Sequence, residues 1–347
     1  MNFLVRTPDE VLAAIQKPEL QTVKAFTLYS EDCLVVCAGF EERALAVLKS
    51  AVLKGSPCHV VLILYEPFIP ENKADDIRRI CQAAHLPIAE LTYNRQEPAG
   101  FGSVLIDSLS AYRGRIFIDI SGMSRLLIVQ TLVALRRRPE GFANCFVAYV
   151  EAQHYPPSEK EAKAKLAKSE SDPTFSIFFL SSGVFGVTLV PELSSYAPAG
   201  VQTRLITFPA LDEHLLTALR AELQPSRYTF IEGVPPGSHN QWRQKAIAQV
   251  NHLDQIQNTE RHQISTLDYR ETLACLQTLY AKHGVTERLL ISPTGSKMQA
   301  VAVGIFRSFV EDIQIVYPTP RGFQMPEKYT EGIGEMHLLP LGPLSII

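Results

Sequence analysis

The strongest constraint on this chain is that it repeats itself. The run RLITFPALDEHLLTALRAEL at 204–223 aligns without a gap beside CLVVCAGFEERALAVLKSAV at 33–52, setting Leu205 against Leu34 and Glu213 against Glu42, both 171 positions apart. Each run is a short apolar stretch, a turn and a segment of helical spacing, the pattern of a strand feeding a helix. In the first half the pattern recurs: CHVVLILYEP leads into ENKADDIRRICQAA, IAELTY into GFGSVLIDSLSAY, and RIFIDI through SGMSR into LLIVQTLVALRRR, with NCFVAYVE as a last strand. The second half answers with YTFIEGVPPGSHNQWRQKAIAQV, STLDYRETLACLQTLYAKHG, RLLISPTGSKMQAVAVGIFR and IQIVYPTP.

Parallel strands need crossover connections, and right-handed crossovers put helices on both faces of the sheet. The alternation therefore predicts an α/β chain of two tandem Rossmann-like, doubly wound parallel-sheet domains that arose by internal duplication. A length of 347 residues suits two such domains. The first is expected at 1–153 and the second, with the C-terminal tail, at 201–347. Between them, residues 154–200 read as a linker. Its charged, proline-flanked part, HYPPSEKEAKAKLAKSESDP, is an exposed helix or loop, and TFSIFFLSSGVFGVTLVPE is an inserted β-hairpin that extends the first sheet. The closing MHLLPLGPLSII is apolar enough to pack back on the body.

Charge and composition narrow the function classes. A net charge of −3 excludes a globally basic coat for long nucleic acid. No stretch reaches the roughly 18 apolar residues of a membrane span, and the N-terminus, broken by Arg6, Asp9 and Glu10, lacks a secretory h-region. Cys33, Cys37, Cys58, Cys81, Cys145 and Cys275 form no CxxC pair and read as buried thiols in a reducing cytoplasm. Walker A, GxGxxG, HExxH and GxSxG patterns are missing, so no cofactor, metal or catalytic residue is assigned. His239, His252, His262 and His283 read as surface or capping histidines.

In open α/β sheets, ligands bind beyond the carboxyl ends of the strands, where turns of small residues open helices. Two repeated turns fall there: Ser121, Gly122, Met123, Ser124 and Arg125 in the first half, and Pro293, Thr294, Gly295, Ser296 and Lys297 in the second. Glycine lets a backbone approach a phosphate, hydroxyls donate hydrogen bonds and the cation supplies charge. A cation in the first turn of a helix opposes the macrodipole by about 0.3–1 kcal/mol, which a bound anion offsets. Gly39, Phe40 and Glu41 of the first strand–helix turn join this set, followed by Glu42 and Arg43 and answered by Asp212, Glu213 and His214. Glu66 and Asn72, against Gly233 and Asn240, mark a third matched turn, and Asn94, Arg95, Asp268 and Arg270 follow the third strands.

The turn PTGSKM at 293–298, and more loosely SGMSR at 121–125, resembles the TGGTK-type turn of the CRISPR-associated Rossmann fold (CARF) family. The tandem arrangement is similar to that of the related SAVED sensors. The resemblance implies a cytoplasmic sensor of a nucleotide second messenger, a cyclic oligonucleotide, held between two CARF-like halves with Lys297 and Arg125 on opposing lips. It further implies a role in anti-phage defence and a separate effector protein as partner. Two alternatives stay open: a metal-independent ring nuclease or other nucleotide-processing enzyme at the same place, and a structural subunit of a defence complex.

Overall fold

The computed structural model describes residues 10, 17–172, 177, 179–196, 200–237, 240–323, 329–342 and 344. Strands β1 (Gln21–Val23) and β2 (Cys33–Cys37) are followed by helix α1 (Ala46–Leu53). Then come β3 (His59–Glu66), α2 (Ala74–Ala83), β4 (Ile88–Asn94), α3 (Phe101–Leu109), β5 (Ile116–Asp119), α4 (Arg125–Arg136) and β6 (Cys145–Val150). Helix α5 (Glu159–Ser171) and strand β7 (Val184–Leu189) precede the second series. That series is β8 (Gln202–Thr207), α6 (Glu213–Leu223), β9 (Arg227–Val234), α7 (Trp242–Val250), β10 (Thr259–Ser265), α8 (Tyr269–His283), β11 (Glu287–Ser292), α9 (Lys297–Phe309) and β12 (Gln314–Pro320). Strand β13 (Met336–Pro340) ends it.

The described residues divide into two compact units, one made of those within 17–155 and 329–344, the other of those within 156–323 together with Glu10. Among the described residues the first unit holds a seven-stranded sheet in the order β1-β13-β6-β5-β2-β3-β4. Strands β4, β3, β2, β5 and β6 pair in parallel, the Rossmann-like order 3-2-1-4-5. The second unit's sheet runs β10-β9-β8-β11-β12-β7, again 3-2-1-4-5 over its parallel strands. Burial explains the sequence pattern. Central β2 (CLVVC) is buried at every residue and reads as a continuous apolar run, whereas edge strand β4 (IAELTYN) shows the alternation of a strand with one wet face. Helices α4 and α9 are buried over most of their length, which is why their sequences are apolar almost all round.

Two expected placements are corrected. The segment 184–189 extends the second sheet, not the first: β7 lies antiparallel beside β12, with Val316 opposite Leu189. Most of the run expected to be the other arm of that hairpin, residues 174–176 and 178, lies outside the described residues. The tail, expected with the second domain, instead supplies β13 to the first sheet, antiparallel to both β6 and β1. The reason lies in helix α5, where Leu166 packs with Ile177, Leu211, Ala246 and Val250 of the second unit. The chain has thus joined the second unit before β7 begins, and the open edge of β6 is covered by the apolar tail. Isolated bridges mirror the exchange, His154 with Glu331 in one unit and Ser181 with Phe323 in the other.

At the amino ends of the second unit's strands lies an ionic cluster. Arg204, 4% exposed, pairs with Glu287 at 2.6 Å, and Glu260 receives Lys282 at 3.0 Å and His283 and His262 at 3.1 Å each. Burial pushes the Glu260 carboxyl up, but hydrogen bonds from Lys282 and His283 outweigh it and bring it down to about 2, from an ordinary 4.5. A carboxyl depressed by folding contributes stability above its unfolded value and loses it as pH falls toward its folded one. Glu260→Gln is therefore expected to lower the urea midpoint at pH 7, with wild type and variant converging as the pH is taken from 4.5 to 2. A difference that stays constant over that range would show that the charge of Glu260 is not what the cluster uses.

Candidate functional site

The strand order of the first sheet reverses between β2 and β5, and the turns that follow these strands bring two expected residues together. A Cβ on Gly39 would stand 2.9 Å from the carbonyl oxygen of Gly122, and one on Gly122 would stand 2.3 Å from that of Cys37. Two glycines are what let these backbones touch. The buried Tyr65 organises the turn around them: its hydroxyl accepts from Ser124 N–H at 2.6 Å and donates to Gly122 O at 3.3 Å. Burial pushes the Tyr65 phenol well above its ordinary range, so it remains a donor. Ser121 N–H donates to Asp119 at 2.9 Å, and the Ser121 hydroxyl accepts from Val150 N–H at 2.9 Å. Met123 is buried. Ser124 caps α4 by accepting from Leu127 N–H, and Arg125, half-buried, is the first residue of that helix.

Phe40 and Glu41 face the tail. The Phe40 ring meets Tyr329 edge-on at 5.3 Å. Glu41, 8% exposed, accepts from Arg43 Nε at 2.8 Å and from the Thr330 hydroxyl at 2.7 Å. Arg43 continues to Tyr149 Oη at 3.2 Å and Val150 O at 3.0 Å. Glu41 is thereby tied into a buried network, with Arg43 as its counter-ion.

The second unit builds its turn differently at the matching place, between β8 and β11. The Thr294 hydroxyl donates to Phe208 O at 2.8 Å and lies 3.1 Å from that of Thr207. A Cβ on Gly295 would stand 2.8 Å from that of Phe208. Ser296 forms a capping box with Gln299: Ser296 N–H donates to Gln299 Oε1 at 2.9 Å and Gln299 N–H to Ser296 Oγ at 3.0 Å. The Ser296 hydroxyl also donates to Thr266 O at 2.5 Å. Lys297, half-buried, opens α9 as Arg125 opens α4. In both turns the hydroxyls hold the backbone, and the positive end of a long helix carries a cation at its first residue.

Asp212, the counterpart of Glu41, accepts from Leu180 N–H, Ser181 N–H and the Ser181 hydroxyl at 3.0, 3.2 and 3.1 Å. His214 Nε2 lies 2.9 Å from the same hydroxyl, and burial lowers the imidazole's pKa. Here the carboxylate holds the serine rather than orienting the histidine, and Ser181 is 2% exposed. That is not the order of a nucleophilic relay.

The remaining expected residues disperse. Asn94 closes its own turn by accepting from Gln96 N–H, and Arg95 lies over the Tyr65 ring at 5.9 Å. Asp268 caps α8 and pairs with Arg270 at 2.8 Å. His262 and His283 serve the Glu260 cluster, and His239 lies outside the described residues. Tyr65 and Gln299 were not singled out as site residues from sequence. Gln299 had a readable signal, the S-x-x-Q spacing after Ser296, and Tyr65 had a weaker one, an aromatic near the end of an aliphatic strand.

No family model and no curated protein matches the chain. Among solved structures, the cytoplasmic domain of a prokaryotic cation chloride cotransporter aligns at 10% identity over 84% of this chain and 95% of that one, with a TM-score of 0.25. A phosphoethanolamine N-methyltransferase from Haemonchus contortus aligns at 9% identity over 77% and 70%, with a TM-score of 0.20. Likenesses this low carry no argument about fold or function.

Proposed function

We propose that this chain is a duplicated, CARF-like sensor of a nucleotide second messenger in anti-phage defence, with a cyclic oligonucleotide as ligand and a separate effector as partner. The observation that carries the reading is positional. SGMSR and PTGSK occupy the same place, after the fourth strand of a 3-2-1-4-5 sheet, and each ends in a cation at the first residue of a buried helix. The helix starts, Ser124 with Arg125 and Ser296 with Lys297, face the phosphates in this reading, while Gly39, Ser121, Gly122, Thr294 and Gly295 shape the turns behind them. A phosphate at either helix start offsets the cost of placing a cation there.

The test is a thermal-shift screen against cyclic di-, tri-, tetra- and hexanucleotides and mononucleotides, with Lys297→Glu and Arg125→Glu alongside and chromatography of each mixture. A ligand at 100 times its Kd adds about 2.7 kcal/mol of stability. We expect one cyclic species to raise the Tm and each charge reversal to abolish the rise. Cleaved product in the chromatogram would make the protein a phosphodiesterase instead. No shift with any nucleotide would overturn the reading and leave a structural subunit.

A further inference from the structure

Away from both turns, the register of the first sheet's edge gathers a cluster that no sequence spacing announces. Met336 pairs with Val150, so Glu335 stands opposite Glu151, and Glu151 N–H donates to Glu335 O at 2.9 Å. Beside them His337, 2% exposed, directs Nε2 to Glu151 at 3.2 Å, while its Nδ1 lies 3.2 Å from the Thr22 hydroxyl on β1. One ligand atom from each of Glu151, Glu335 and His337 lies within 4.8 Å of the others.

Two like charges directly opposite on neighbouring strands destabilise a sheet. Among the described residues, neither carboxylate is paired with a lysine or arginine. A buried imidazole held at its far nitrogen by a hydroxyl, with the Glu151 carboxylate at its near nitrogen and the Glu335 carboxylate within 4.8 Å, is the arrangement that outer hydrogen bonds give to metal-binding histidines. Metal–ligand bonds of about 2.1 Å place tetrahedral ligands about 3.4 Å apart. The exposed Glu335 side chain can supply the closing movement.

We propose that Glu151, Glu335 and His337 form a binding site for a divalent first-row transition ion of the zinc or manganese class. Imidazole plus carboxylate oxygen suits these ions, whereas magnesium and calcium favour oxygen alone. Nδ1–H donates to Thr22, and the Nε2 lone pair takes the ion. The ion joins the end of β6 to β13, tying the C-terminal tail to the sheet across 184 positions of chain (335 minus 151). Among the described residues the second sheet shows no counterpart, and β7 (VFGVTL) carries neither acid nor imidazole. The site therefore belongs to the tail and not to the repeated turns, and it stands whether or not the nucleotide reading does.

The experiment is calorimetric and thermal titration of the full chain, stripped with chelator, against Zn²⁺ and Mn²⁺ with Mg²⁺ as control. We expect one saturating ion per chain, a raised Tm with Zn²⁺ or Mn²⁺, and little response to Mg²⁺. Glu335→Gln removes a ligand and the opposed charge together. It should match or exceed the wild-type Tm without metal, yet bind at least about tenfold more weakly. Glu151→Gln is expected to weaken binding similarly. Absence of saturable binding overturns the proposal, as does binding unchanged in both variants, which would place the ion elsewhere.

Discussion

Gly122→Ala is expected to destabilise the first unit by about 3 kcal/mol or more, at the upper end of what overpacking a well-packed site costs. The added Cβ would lie 2.3 Å from Cys37 O, 3.1 Å from Gly39 N and 3.2 Å from the Ala44 Cβ. Its first two neighbours are backbone, and Cys37 O already accepts from Gly39 N–H at 2.8 Å, so neither can turn aside as a side-chain tip would. Relief requires the turn after β5 to withdraw from the turn after β2, which would also break the contacts of Tyr65 with Gly122 and Ser124. Gly186→Ala is the control, because a Cβ there meets nothing within 4 Å. Urea midpoints of the two variants decide the matter. A Gly122→Ala midpoint near that of Gly186→Ala would mean that the two turns are not held together in solution.

The two sheets were legible because their strands and helices are strongly patterned and come twice. CLVVC and RLLIS are apolar runs of strand length, and the gapless alignment of 204–223 on 33–52 sets equivalent strands in register. What sequence could not supply was the destination of the two antiparallel strands. VFGVTL and MHLLP are apolar enough to cover an edge, but hydrophobicity does not say which edge, and β6 and β12 both offer one. The packing of Leu166 on the second unit settles it, through contacts far apart in sequence. The turns were readable as helix starts because capping is local. The cluster of Glu151, Glu335 and His337 was not, because its members meet only once β13 has paired with β6.

The same long-range placement gives Glu41 a buried counter-ion and a contact with the tail, and Arg43→Met should produce the second large effect. Arg43 is 3% exposed and holds Glu41 at 2.7 Å, with its guanidinium 5.6 Å from the Tyr149 ring centre and 5.7 Å from that of Tyr155. Methionine keeps much of the volume but strips the buried Glu41 carboxylate of its counter-ion, which should cost about 3–5 kcal/mol. Adding Glu41→Gln to Arg43→Met removes the stranded charge, so the double variant should be more stable than Arg43→Met alone, the non-additivity expected of residues in one network. The cycle separates two roles for Glu41. If the carboxylate serves the tail, Glu41→Gln alone lowers stability because it strands Arg43 in turn. If it reads a ligand, as its place in the first strand–helix turn suggested, Glu41→Gln leaves the urea midpoint unchanged and weakens only nucleotide binding.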